Sequence, residues 1–171
     1  IIEVAKKWGC DVPFIRPKKL SQDDTPSMEV ILHAIEQVKG YDYVVLLQPT
    51  SPFRTTEDID KCIEKCIENN QKSCVSIVEV SENPYWMYTV TENEVLNPLI
   101  DNYGKYYQRQ KLPKTYILNG AVYVASIEWL KQSKSFLSKN TISVEMTKEK
   151  SIDIDTMLDF KVASLLIDSK N

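Results

Sequence analysis

The sequence predicts an α/β domain of three layers, with helices covering both faces of a mostly parallel sheet. Three observations carry that expectation. Segments with apolar residues at helical spacing alternate with short apolar runs; the run YVVLL at 43–47 has no polar face, as suits a strand buried on both sides; and no repeat, low-complexity tract or flexible linker divides the 171 residues. Residues 1–171 are therefore read as a single domain.

The elements follow in order. Ile1, Val4, Ala5 and Trp8 recur at helical spacing and Gly9 offers a stop, so the chain opens in a helix. Val12 to Ile15 reads as a short strand cut off at Pro17. Thr25 is the expected cap of a helix with Pro26 at its first position, whose stripe is Met28, Ile31, Leu32, Ile35 and Val38 before Gly40. The strand YVVLL runs into QPTSPFR. Thr56 is then read as a cap, with Glu57 and Asp58 favoured by the first-turn dipole and Ile59, Cys62, Ile63, Cys66 and Ile67 on one face. CVSIVEV at 74–80 is a strand. The pattern loosens over 84–114, where TENEV suits a hairpin turn, and YILNGAVYVA at 116–125 resumes a strand. Ser126 caps a short helix, TISVEM is a late strand, and a helix from Thr156 follows. A parallel sheet of this kind ordinarily has a strand before its first helix, and the sequence as given begins without one.

Composition narrows the function. Apolar residues make up 43% and charged ones 26%, and 21 basic residues against 24 acidic ones give a net charge of -3. No broad basic surface is available to follow a nucleic-acid backbone, so no nucleic-acid partner is expected. No apolar run approaches the roughly 18 residues that cross a bilayer, so no membrane partner is expected and a cytoplasmic location is. Cys10, Cys62, Cys66 and Cys74 form no CxxC pair and His33 is the sole histidine, which points to reduced, packed thiols, no zinc site and a surface histidine.

Ligands of open α/β sheets lie beyond the carboxyl ends of strands, where QPTSPFR stands. Pro49 and Pro52 stiffen that loop, and Gln48, Thr50, Ser51 and Arg54 supply donors for a polar ligand. The other candidate is SIDIDTMLDF at 151–160. If SIDID is extended, Asp153 and Asp155 point to one side with Cα atoms roughly 6.6 Å apart, close enough to share a hard cation. The alternative for this pair is a solvated turn. Thr156 with Asp159 three residues later fits a helix start.

LLQPTSPFRTTEDID, FIRPKKLSQDDTPSMEVILHAIE, YYQRQKLPKTYILNGAVYV and SIDIDTMLDF together resemble the acylneuraminate cytidylyltransferases, the CMP-sialic acid synthetase family. The resemblance implies a Rossmann-like nucleotidyltransferase sheet with a protruding dimerisation arm at 84–114, and hence a homodimer. It implies that the anomeric hydroxyl of a nonulosonic acid attacks the α-phosphate of CTP, giving a CMP-sugar and pyrophosphate, with Mg²⁺ or Mn²⁺ at Asp153 and Asp155. By the same resemblance Arg16 and Ser27 face the nucleotide, and Gln48, Arg109, Gln110, Asn119 and Tyr123 face the sugar. Asp153, Asp155 and Arg109 are the expected catalytic residues. Asn119 and Tyr123, both odd-numbered, are expected on one strand face. Tyr85, Trp86 and Met87 stand where relatives place a lysine, which removes one expected phosphate contact.

The resemblance also implies an N-terminal strand and a loop that grips the triphosphate, and the sequence as given starts beyond them. Two readings follow. One is a cytidylyltransferase fold that is weak or inactive as this chain; the other is a non-catalytic binding or assembly module that keeps the pocket and the arm.

Overall fold

The computed structural model describes residues 1–70, 72–101 and 108–168. Helix α1 (Ile2–Lys7) closes on Gly9, whose φ of 82° only glycine adopts at little cost. Val12 to Ile15 is extended but belongs to neither sheet, which corrects the expected strand. Its backbone finds no ladder, and it serves instead as cover for helix α2 (Ser27–Gln37), with the Phe14 ring edge-on to His33 at 5.4 Å. Thr25 does not cap α2: Pro26 occupies the cap position and its carbonyl accepts from Glu29 N at 3.0 Å.

Strand β1 (Tyr43–Leu46) leads to helix α3 (Thr56–Glu68). Its cap is Thr55, one residue before the expected Thr56, because Thr55 and Asp58 satisfy each other's backbone amides in a capping box. Strand β2 (Ser73–Glu79) feeds an excursion with a hairpin of β3 (Tyr88–Val90) and β4 (Leu96–Pro98), turned at the expected TENEV stretch. The chain re-enters as β5 (Tyr116–Ser126), continues through α4 (Ile127–Ser133) and β6 (Ile142–Glu145), and ends in α5 (Met157–Asp168). Ser126 Oγ accepts from Trp129 N at 3.2 Å, the expected cap of α4.

The main sheet has the order β1-β5-β2-β6. Strands β1, β2 and β6 run in one direction and β5 lies antiparallel between β1 and β2. The excursion explains the reversal. It returns the chain at the far end of β2 without a crossover helix, so β5 can pair only in the opposite sense.

Side-chain alternation separates two cores. Cys62 and Cys66 of α3 meet Cys74, Val122, Val124 and Met146 on one face, while Ile31, Ile35, Leu130 and Phe136 meet Val75 and Ala125 on the other. This is the three-layer arrangement, with α3 on one side of the sheet and α2 with α4 on the other. Cys62, Cys66 and Cys74 are fully buried, as expected of packed thiols, whereas Cys10 is exposed just after α1, which corrects that expectation for it. Burial pushes the Cys66 thiol up to about 11, so it stays protonated. Within the described residues no helix is long and apolar enough to cross a membrane.

Candidate active site

A cleft of about 470 Å³ opens where the N-terminus of α2, the end of β1 and the segment before α5 converge. Arg16, Ser27, Gln48, Asp153 and Asp155, five of the residues singled out in the sequence, line it together with Gln22, Thr25 and Thr50. Their convergence follows from the fold. Gln48 follows the carboxyl end of β1, Ser27 begins α2, and the segment before α5 supplies Asp153 and Asp155 to the same cleft.

The 48–54 loop is folded on itself. Arg54 Nη1 donates to the carbonyls of Gln48 at 2.7 Å and Ser51 at 2.6 Å, and Ser51 is fully buried. Arg54 and Ser51 are thus engaged by protein, which corrects their reading as ligand donors. Ser51 Oγ reaches the Asn119 carbonyl at 3.1 Å and Asp153 Oδ1 at 3.4 Å, while Ile154 N donates to Thr50 O at 2.9 Å. The acid segment is therefore stitched to this loop through both backbone and side chain.

Beyond the acids, Asp159 Oδ2 accepts from Thr156 N at 2.7 Å, from Thr156 Oγ1 at 2.7 Å and from Asp155 N at 3.2 Å. The bonds from the Thr156 hydroxyl and amide hold the Asp159 carboxyl below its ordinary value. It is the helix-start residue the pattern suggested. Asp153 and Asp155 are exposed to the cleft, and among the described residues neither has a Lys, Arg or His nitrogen within ion-pair distance.

Two carboxylates of that kind suit a hard divalent cation. Among the described residues no group of three or more His, Cys, Asp or Glu is placed to hold a metal. A pair of carboxylates is what an ion such as magnesium takes when water and phosphate oxygens complete its shell.

Asn119 is placed differently from its expected role. It is 5% exposed, its Oδ1 accepts from Ser76 Oγ at 2.6 Å and Ala121 N at 3.2 Å, and its Nδ2 donates to Ser151 Oγ at 2.9 Å and Met146 Sδ at 3.3 Å. With both ends of its amide engaged, it is not free to contact a sugar. It does not share a face with Tyr123 either. Val75 pairs with Tyr123 while Ile77 pairs with Leu118, so β5 carries three more residues than β2 over this stretch, and the bulge cancels the odd-number parity. Tyr123 packs on Phe136 at 5.4 Å in the opposite core; burial first, and the nearby Asp153 carboxylate second, raise its phenol above the usual value.

Gly120 has φ 74° at this bulge, and a Cβ there would sit 2.5 Å from Gln48 Oε1 and 3.0 Å from Ser51 Oγ. The 48–54 loop thus approaches the backbone closely at Gly120, and the Gln48 side chain occupies the space a Cβ there would need.

Arg109 and Gln110 are not brought to the cleft. Both are exposed, and Arg109 borders a separate depression of about 60 Å³ with Glu79, Asn83, Trp86 and Pro113. Residues 102–107 of the expected arm, Lys105 included, lie outside the described residues. His33 is half-buried rather than on the surface, and its Nδ1 is enclosed without a hydrogen-bond partner. Asp58, read in the sequence only as a first-turn acid, is paired with Lys150, which the sequence did not single out; the Thr-x-x-Asp capping pattern at 55–58 was the available signal.

Comparison with known proteins places this geometry in context. A family model described as Cytidylyltransferase matches residues 1–164. The chain is 29% identical to post-translational flagellin modification protein B of Campylobacter coli, covering all of the chain and 74% of that protein. It is 30% identical to an N-acylneuraminate cytidylyltransferase of Escherichia coli, covering 98% of the chain and 40% of that protein. Against a pseudaminic acid cytidylyltransferase of Campylobacter jejuni the identity is again 30%, over 97% of the chain and 73% of that protein. The fold is that of a solved CMP:2-keto-3-deoxy-manno-octonic acid synthetase in complex with CTP, with a TM-score of 0.67, 11% identity, and coverage of 99% of this chain and 77% of that one.

Proposed function

The chain belongs to the cytidylyltransferase family, and we propose that it serves cytidylyl transfer from CTP to a nonulosonic acid, releasing pyrophosphate. The observation that carries this reading is the convergence of Arg16, Ser27, Gln48, Asp153 and Asp155 on one cleft. The relatives named for acylneuraminate and pseudaminic acid cytidylyl transfer support the substrate class.

In this reading the sugar hydroxyl oxygen bonds to the α-phosphorus of CTP, the bond from that phosphorus to the bridging oxygen breaks, pyrophosphate leaves, and the hydroxyl proton passes to solvent water. There is little covalent work for the protein, so its contribution is placement and charge. The Ser27 hydroxyl and the free backbone amides at the start of α2 are suited to the donor and acceptors of a cytosine edge. Arg16 also lines the cleft and offers a fixed positive charge to the nucleotide. Gln48, held over Gly120, offers an amide to the sugar. Asp153 and Asp155 would hold Mg²⁺, or Mn²⁺, which when bound would neutralise phosphate charge and polarise the α-phosphate.

Arg109 and Gln110 belong to this reading only through a second copy of the chain. The excursion exposes Tyr88, Val90, Val95, Leu96 and Leu99, an apolar surface suited to an interface, and a homodimer would carry Arg109 and Gln110 to the partner. A substrate drawn from the nucleotide pool and cysteines in the thiol form are in keeping with a cytoplasmic setting.

The test is pyrophosphate release with CTP, Mg²⁺ and sialic, legionaminic and pseudaminic acids in turn. Cation-dependent turnover with one of them, reduced at least about 100-fold in Asp155→Ala, is the expected result. CTP binding with no turnover for any sugar would favour the assembly-module reading.

A further inference from the structure

Asp58 is 5% exposed and lies at the start of α3, outside the cleft lining. Its Oδ2 accepts from Thr55 N at 2.8 Å and Thr55 Oγ1 at 2.8 Å, and both of its oxygens receive Lys150 Nζ at 3.0 Å. Lys150 Nζ also reaches Thr55 Oγ1 at 3.1 Å. The capping box alone would satisfy the helix, so an ion pair from the half-buried Lys150 to the buried Asp58 calls for a second explanation. Lys150 ends a short 3-10 turn, Lys148–Lys150, three residues before Asp153.

From that point the chain is held at successive residues. Ser151 Oγ accepts from Asn119 Nδ2, Asp153 Oδ1 accepts from Ser51 Oγ, Ile154 N donates to Thr50 O, and Asp155 N donates to Asp159 Oδ2. Two like charges two residues apart repel and favour an unfastened segment unless the backbone is fixed at both ends. The Thr156 and Asp159 pair fixes one end. We propose that the Lys150–Asp58 ion pair fixes the other, so that Asp58 and Lys150 are positioning residues that hold the Asp153 and Asp155 carboxylates in register for a divalent cation. This deepens the cytidylyltransferase reading and rests on it for the identity of the ion, while the fastening of the segment does not.

The experiment uses the full chain with Lys150→Met, Lys150→Arg and Asp58→Asn. The first removes the charge and keeps an apolar stem; the last keeps a cap acceptor and removes the charge. Two quantities are read: amide exchange of Ile154 against that of the β5 core, and Mn²⁺ affinity by the loss of the free-ion resonance, with and without CTP. Lys150→Met and Asp58→Asn are expected to speed Ile154 exchange about tenfold more than β5 exchange, and to weaken Mn²⁺ about 10-fold or more, with Lys150→Arg recovering most of both. Ile154 exchange that matches the natural chain, or that rises only in step with β5, overturns the proposal. Faster Ile154 exchange in a protein that binds no Mn²⁺ upholds the fastening and sinks the metal reading of the acids.

Discussion

Gly120 decides more of the cleft than its size suggests. Its φ of 74° excludes side chains at low cost, and the space a Cβ would need is taken by Gln48 and Ser51. Gly120→Ala is expected to cost about 1–2 kcal/mol in a denaturant titration from backbone conformation alone, and to weaken sugar affinity by displacing Gln48. Tyr123 offers a second residue-scale test. Its phenol is raised by burial and then by the Asp153 carboxylate, so Asp153→Asn should lower its ionisation midpoint, followed by ultraviolet titration near the alkaline end. A midpoint unmoved in that variant would mean that the two groups do not interact. Asn119 shows why residue identity outran placement here. The ILNGAVYV motif marked it as special, yet strand parity put it on the Tyr123 face, and only the bulge between its pairing partners turns its amide toward Ser76 and Met146.

At the scale of elements, short-range chemistry was legible and long-range pairing was not. Helix α3, its Cys62 and Cys66 face and the α5 start at Thr156 follow from periodicity and capping, which involve neighbours a few residues apart. The Thr55 cap differs from expectation by one position because both threonines satisfy the local pattern and Asp58 selects between them. The antiparallel entry of β5 depends on where an excursion of more than thirty residues returns the chain. Asp58 gives this scale its pH dependence. Burial raises its carboxyl, but the bonds from Thr55 and Lys150 outweigh that and hold it below the ordinary carboxylate value. A depressed folded value stabilises above the unfolded value, about 3.9, and the gain is lost as pH falls through the folded one. The thermal midpoint should therefore drop on acidification below about pH 4, and Asp58→Asn should be less stable at neutral pH yet lose less on the same change. Equal acid losses in the two proteins would remove Asp58 from this account.

Over the whole molecule, apolar surface is left open on the β3 and β4 hairpin, where Val90 is 65% and Leu96 59% exposed although they face each other across the strands. Exposed apolar pairs of this kind are costly to a lone chain and suit a symmetric interface. For the homodimer proposed above, the mass found by light scattering should be twice that of the chain, and the joint change Val90→Glu with Leu96→Glu should halve it and leave the circular dichroism spectrum unchanged. A monomeric mass for the natural chain, or one that the joint change leaves the same, would count against a dimer built on this hairpin.

By itself the sequence determined the layered α/β class, the buried thiols, the helix starts at Ser126 and Thr156 and the residue types available to the cleft, because each depends on local spacing or on the solvation of individual side chains. The tertiary structure alone decided that Val12 to Ile15 stays unpaired, that β5 runs backwards, that Asn119 and Arg54 bind protein, and that Asp58 fastens Lys150. These outcomes join residues far apart in the chain, and a partner that distance in sequence conceals is chosen by whichever folded surface meets it.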